Sequence, residues 1–348
     1  MAKKLSHTLV GGRTIVGTGG QTLKIGEQGR LYWMDVDEVS LIPTTWAGDR
    51  GVFMGGAAAW NSWQNTNNMD YITISSTGNG TDFGNLSVAR LGKAGVSNGS
   101  RGVMMGGSRI MWTQDINTID YFTFASPGNA VDFGDITDTR GNSAGTSNGT
   151  RGICAGGTTS GNSVFHNVID YITIASTGNA ADFGDLADTI YNATATSNGT
   201  KGFIIGGANG ANMTDTIQYV TIDTTSNTSD WGNLRDEDAG AYGQGLGSVA
   251  GAESETRACA AGGNPGNNAG SNRIDYFSMD SSGDASDFGN LVGAIVSMAG
   301  TTNLTRGVFG GGGGSDQIQY ITIASTGDAT DFGDLIADSD YPAATSGD

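Results

Sequence analysis

A seven-residue signature returns six times along this chain, and few folds can accommodate that. A cation opens it, small and apolar residues follow, and a glycine pair closes it. The copies lie at 50–56, 101–107, 151–157, 201–207, 257–263 and 306–312, at intervals of 51, 50, 50, 56 and 49 residues. Each is followed by an Asp-Tyr or Gln-Tyr pair, ending at Tyr71, Tyr121, Tyr171, Tyr219, Tyr276 and Tyr320. Twelve residues beyond each tyrosine stands an aromatic: Phe83, Phe133, Phe183, Trp231, Phe288 and Phe332. An Asp precedes it and a Gly follows it every time. A unit of about 50 residues cannot bury its own apolar face, so such units stack on their neighbours and the 348 residues form an array.

Within each unit the pattern predicts four short strands. The first is a small-residue stretch such as 143–147, closed by an Asn-Gly turn at Asn98-Gly99, Asn148-Gly149 and Asn198-Gly199. Asn-Gly suits tight hairpins because both central residues need positive φ. The cationic segment is the second strand. The third is the run 169–174, alternating with period two and rich in β-branched residues. A loop at 176–179 leads to the fourth, around Phe183. Four-stranded sheets repeated at this period are blades of an all-β propeller. The repeated Tyr and Phe/Trp positions are expected to fill the seams between blades. The repeated cations and aspartates are expected to tie adjacent blades by charge-assisted hydrogen bonds. The glycine pairs are expected where inner strands crowd the central channel.

Six blades over residues 46–348, preceded by an N-terminal arm at 1–45, is the favoured arrangement. A seventh, degenerate blade from 13–40, completed by the C-terminal segment 341–348, is the alternative. Either 42–49 or that C-terminal segment can supply the first strand of the first blade.

The order of features (glycine pair, tyrosine, then an aromatic a dozen residues on) resembles the kelch repeat, with Phe where kelch repeats usually carry Trp. The run 169–186, Ile-Asp-Tyr-Ile-Thr-Ile-Ala-Ser-Thr-Gly-Asn-Ala-Ala-Asp-Phe-Gly-Asp-Leu, is similar to repeats in structural proteins of tailed bacteriophages, notably those infecting marine cyanobacteria. The resemblance covers about 46–348. It implies a propeller, and a place in a virion as a tail-fibre-like or surface component made in the host cytoplasm.

Charge narrows the partners. The chain carries −18 overall, yet residues 1–30 hold Lys3, Lys4, Arg13, Lys24 and Arg30 against Glu27 alone. Nucleic acid is disfavoured as a partner, since phosphate binding needs clustered Lys and Arg. The basic arm suits attachment to an acidic neighbour in a larger assembly, such as other virion proteins. The N-terminal stretch shows no secretory or membrane-spanning pattern, so membrane insertion is not expected. Cys154 and Cys259 are expected as buried free thiols, with a disulfide as the alternative.

Catalysis finds little support. His7 and His166 sit in unrelated contexts, too few for a copper site or a nucleophilic triad. The five glutamates (Glu27, Glu38, Glu237, Glu253, Glu255) occupy no repeated position. A hydrolase using paired aspartates is the third-ranked function. No cofactor is expected. Calcium at segments such as 327–334 is an alternative, though turn-capping Asp and Asn account for them without metal.

In an antiparallel blade, the first–second and third–fourth turns lie on one face and the other connections on the opposite one. Here the former are regular. The second–third loops vary: 13 residues at 57–69, 12 at 108–119, six at 313–318, with a long insertion between Leu234 and Arg257. These loops carry Trp60, Trp63, Met111, Trp112, Phe165 and His166, and apolar groups on surface loops mark binding. The expected function is a non-enzymatic virion structural protein that assembles, or contacts a host-surface glycan or protein through this variable face. A secreted glycan- or protein-binding propeller is the alternative.

Overall fold

The computed structural model describes residues 46–348 except 59–63, 111–112, 160, 162, 211, 236–244 and 267–269, together with three strands nearer the N-terminus. The chain divides into two compact units, Met1–Pro43 and Thr44–Asp348. In the first, Val16–Gly17, Gln21–Ile25 and Leu31–Asp35 form an antiparallel three-stranded sheet in chain order. Lys24 lies on its middle strand, paired with Tyr32. Lys3, Lys4, Arg13 and Arg30 fall outside the described residues.

The second unit is a six-bladed propeller of four-stranded antiparallel sheets. Blade 1 joins the two ends of the chain. Its innermost strand is the C-terminal Ala343–Gly347, paired with Arg50–Met54, followed outward by Asn68–Thr73 and Thr81–Asn85. The register runs from Ala343 opposite Met54 to Gly347 opposite Arg50. This resolves the closure. The C-terminal segment completes the first blade rather than a seventh, and residues 46–49 merely lead into the second strand.

Blades 2 to 6 are each continuous in the chain. Their innermost strands are Gly95–Ser97, Ala144–Ser147, Thr194–Ser197, Ala250–Glu253 and Ala299–Thr302. Their second strands begin at Arg101, Arg151, Lys201, Arg257 and Arg306. In blade 2 the second and third strands, Arg101–Ser108 and Asp115–Thr123, extend into what the sequence marked as loop. Half of that connection is thereby absorbed into ladder, because the register resumes after a bulge between Met105 and Gly107.

Six apolar clusters hold the ring together, one per seam. Between blades 3 and 4, for example, Ile153, Ile169 and Phe183 meet Ile204, Val220 and Ile222. Phe83, Phe133, Phe183, Trp231, Phe288 and Phe332 are all buried at such seams. Each tyrosine is only half-buried. Tyr171 meets the edge of Phe183 at 6.0 Å, while the Arg151 guanidinium lies over its ring at 4.5 Å. The tyrosine therefore covers the seam from outside and carries the cation.

That cation then reaches the next blade. Arg101 donates to the Ile174 carbonyl, Arg151 to Ile222, Arg257 to Ile323 and Arg306 to Ile74, at 2.9–3.2 Å, and Arg50 donates to Phe124. Blade 4 has Lys201 instead, with no fork to bridge ring and carbonyl. There the Asn198 amide donates to Met279 O and the Trp231 indole to Ser278 O. The single Trp and the single Lys of the repeat thus belong together.

The acidic position is used with equal regularity. The carboxylate or amide oxygen of Asp120, Asp170, Gln218, Asp275, Gln319 and Asp70 accepts a backbone N–H from the preceding blade, at Ser87, Thr137, Ala187, Arg235, Val292 and Ile336. Gln serves as well as Asp because the shared task is acceptance by a side-chain oxygen.

The glycine pairs have another cause than crowding at the channel. Gly156 and Gly157 have φ of +63° and +111° and lie against the carbonyls of Ile190 and Gly141, where the crossover segments pass the end of the second strand. Backbone crowding at the axis falls instead on glycines of the innermost strands, such as Gly300 against Gly251. Cys154 and Cys259 are both buried free thiols.

Candidate functional site

Two places break the sixfold regularity: the axis and the variable face. Around the axis the innermost strands stand side by side. At the end where crossovers arrive, Asn142, Asn192, Ser248, Ser297 and Tyr341 have φ between +54° and +64°, and Gly92, with φ of +158°, holds the sixth equivalent place. Their amides pass hydrogen bonds from blade to blade. Asn192 donates to Asn142 O, Ser248 to Asn192 O, Ser297 to Ser248 O, Tyr341 to Ser297 O and Gly92 to Tyr341 O, at 2.7–3.1 Å. Non-glycine residues in this region are uncommon and Asn tolerates it best. Five such residues in equivalent places are held by this belt.

At the opposite end lies a ring of side chains: Ser97, Ser147, Ser197, Thr302, Ser346 and, in blade 5, Glu253. Hydroxyls bond back to the preceding blade: Ser97 to Ser346 O at 2.6 Å, Ser346 to Thr302 O at 2.5 Å, and Thr302 to Glu253 O at 2.7 Å. Glu253 therefore does occupy a repeated position, contrary to the sequence expectation. Shared alignment with Ser97, Ser147 and Ser197 would have revealed it.

Between these rings lies a cavity of about 70 Å³ lined by Lys93, Glu253, Trp46, Thr301 and Pro342 among others. Trp46 packs on Gly199, a first–second turn of blade 4, so the regular face carries a large aromatic at its centre. At the other end Lys93 extends from blade 2 to the Val249 carbonyl of blade 5, directly across the ring, at 2.9 Å. Burial holds the Lys93 ammonium down to about 7, partly opposed by Asp340. Burial likewise pushes the Glu253 carboxyl up to about 8. The Trp46 indole beside it opposes the shift without closing a well-formed hydrogen bond.

Glu253 thus takes up its proton far more readily in the folded chain than in the unfolded one. Its contribution is intact below about pH 4.5 and is lost as pH rises through about 8. Glu253→Gln should leave stability at pH 5 nearly unchanged. At pH 9 it should add on the order of 2 kcal/mol, after allowing for solvent screening at the channel mouth. Chemical denaturation at both pH values tests this, and an equal change at both would refute a buried ionisation. Lys93 is common to both proteins and cancels.

On the variable face, blade 3 carries a second hairpin pairing Thr158–Thr159 with Val164–Phe165. Phe165 stacks on Tyr191 with centroids 5.2 Å apart and planes at 22°, and the Tyr191 hydroxyl donates to Gly210 O. His166 Nε2 lies 3.1 Å from Thr159 Oγ1, and burial lowers its pKa. The structure thus joins the loops of blades 3 and 4 through Phe165 and Tyr191, a residue the sequence reading passed over. Trp60, Trp63, Met111 and Trp112 lie outside the described residues.

The Asn and Asp of the third–fourth turns are amide acceptors. Asn129, Asn179, Asn227, Asp284, Asp328 and Asn79 each take the N–H of a fourth-strand residue in the preceding blade. No helix among the described residues is long and apolar enough to cross a membrane. No protein-family model matches the chain, and no curated protein matches it.

Proposed function

We propose that this chain is a non-enzymatic propeller that acts as a structural component of a phage virion, presenting its variable face to a host-surface glycan or protein. One observation carries the reading: the repeated charged and aromatic residues are engaged in seam contacts, while departures from sixfold regularity gather in loops and at the axis. A scaffold has that division of labour, with an invariant frame and unequal loops. The kelch-like order of the repeat and its similarity to tailed-phage structural proteins support the virion assignment. The charge asymmetry of residues 1–30 supports attachment through the arm.

The test has two arms. Trp60, Trp63 and Trp112 changed together to Ala should reduce binding to host cells while leaving the unfolding midpoint in place, since indoles are frequent anchors of interfaces. Lys3, Lys4 and Lys24 changed together to Gln should lower incorporation into particles, with the deficit growing smaller as salt is raised. Undiminished binding in the first would sink the variable-face reading. Undiminished incorporation in the second would sink the electrostatic attachment.

A further inference from the structure

The seams obey a rule of charge matching. In the crossover between blades 1 and 2, Arg90 reaches Asp120 at 3.1 Å, and Ser87 Oγ donates to the same carboxylate at 2.6 Å. Between blades 2 and 3, Arg140 reaches Asp170 at 2.8 Å and Thr137 Oγ1 donates at 2.7 Å. All four members of these ion pairs have side chains with 0% exposure. Between blades 3 and 4 the arginine position is Ile190 and the hydroxyl position Ala187, and the acceptor is the neutral Gln218. Between blades 5 and 6 the same positions are Ile295 and Val292, and the acceptor is again a neutral glutamine, Gln319. Between blades 4 and 5 the acceptor is Asp275, and Arg235 supplies the cation at 2.7 Å. A buried carboxylate is kept where a cation meets it and becomes an amide where none does, as the cost of an unpaired buried charge requires.

The seam between blades 6 and 1 departs from this rule. The arginine position is Ser339 and the hydroxyl position is Ile336, yet the acceptor is Asp70 and not glutamine. Asp70 is 8% exposed. Its Oδ2 accepts the Ile336 N–H at 3.0 Å, and no cation meets it among the described residues. Burial accordingly raises its pKa. Where Arg90 and Arg140 lie at the seams between blades 1 and 2 and blades 2 and 3, this one has a cavity of about 70 Å³, against about 10–15 Å³ for one water on the same measure. Phe53 and Leu335 line its apolar wall, with Asp70, Asn68 and Ser339 as polar groups. Ala58, Thr66, Ala337 and Asp338, on the connections of the variable face, also line it, and Asp338 adds a second negative charge there.

We propose that this seam is a binding site for an alkylguanidinium group, which enters from the variable face and takes the place that Arg90 and Arg140 occupy at the seams between blades 1 and 2 and blades 2 and 3. The group pairs with Asp70 and lies against Phe53 and Leu335. Its source is either an arginine side chain of a polypeptide or a small free alkylguanidinium. The site goes beyond the virion reading, and its test uses purified protein, so either can fail without the other.

The probes are N-ethylguanidinium and the tripeptide Gly-Arg-Gly, each titrated against the full chain at constant ionic strength and followed by NMR shifts. Saturable binding of one equivalent, with a dissociation constant on the order of 1 mM, is expected for N-ethylguanidinium. Asp70→Asn should weaken it at least tenfold. Ser339→Arg, which supplies the group from within, should abolish it and raise the unfolding midpoint. Comparable binding of the tripeptide assigns the site to an arginine side chain, and binding of N-ethylguanidinium alone assigns it to a free cation. Absence of saturable binding to the native chain, or equal binding to Asp70→Asn, overturns the proposal.

Discussion

Removal of residues 343–348 should destroy the cooperative unfolding of the propeller, the largest effect of any change considered. The deletion takes away the innermost strand of blade 1, a ladder of five residue pairs, and leaves the inner edge of Arg50–Met54 bare. Ala343, Thr345 and Ser346 are buried, and Ser346 both accepts from Ser97 and donates to Thr302. Blade 1 therefore loses its place against blades 2 and 6 together. A domain stable by about 5–15 kcal/mol cannot absorb the loss of a whole strand and two seams. Calorimetry should show a broad or absent transition, and light scattering should show association through the exposed strand edge. A peptide spanning 342–348, added in trans, should restore part of the transition by strand addition. A truncated chain that melted sharply within a few degrees of the full one would show that the ring does not depend on its latch.

Phe183→Ala is expected to cost about 3–5 kcal/mol, the range for truncating a buried aromatic. Phe183 is 2% exposed and joins two blades, with Tyr171 against its edge and Ile204, Val220 and Ile222 of blade 4 on the far side. Neighbouring backbone cannot close over the space. Gly184, with φ of +144°, already lies against the Gly178 neighbourhood's counterpart in blade 4, the Ser226 carbonyl. A measured loss below about 1 kcal/mol in chemical denaturation would contradict a seam position. Repeat arrays can unfold locally, so the loss should be read from probes in blades 3 and 4 as well as from the global transition.

The repeat period, the strand order within a blade and the seam aromatics could all be read from the sequence, because each rests on a residue type recurring at fixed spacing. The cations and aspartates were legible as blade ties, though not their partners, which are backbone groups and leave no mark on side-chain identity. The closing strand was ambiguous because 42–49 and 341–348 read alike, and only hydrogen-bond register separates them. The axis was the least legible. Trp46 stands outside the repeat, and the role of Lys93 depends on a carbonyl 156 residues away in the opposite blade. The solitary Asp70 was hidden for another reason: it matches the repeat perfectly, and only the absence of a cation at both positions 336 and 339 makes it unusual.

The direction of the seam bonds has a consequence for the ring as a whole. Toward the rim, the arginines, the crossover amides and the fourth-strand amides donate forward to the next blade, while the third–fourth turn amides, such as Gly178 to Phe133 O, donate backward. At the axis, the amide belt and the hydroxyl ring donate backward. Every blade thus has a leading and a trailing face that are unlike each other, and each fits only the opposite kind. In the language of quaternary structure these are heterologous, head-to-tail contacts, which give a closed ring only if the rotation per unit divides the circle, and an open fibre otherwise. The chain is in effect a cyclic hexamer whose subunits are covalently joined, with the last contact sewn by its own terminal strand. An opened ring carries one free leading face and one free trailing face, and can satisfy them by reclosing or by joining another opened ring end to end.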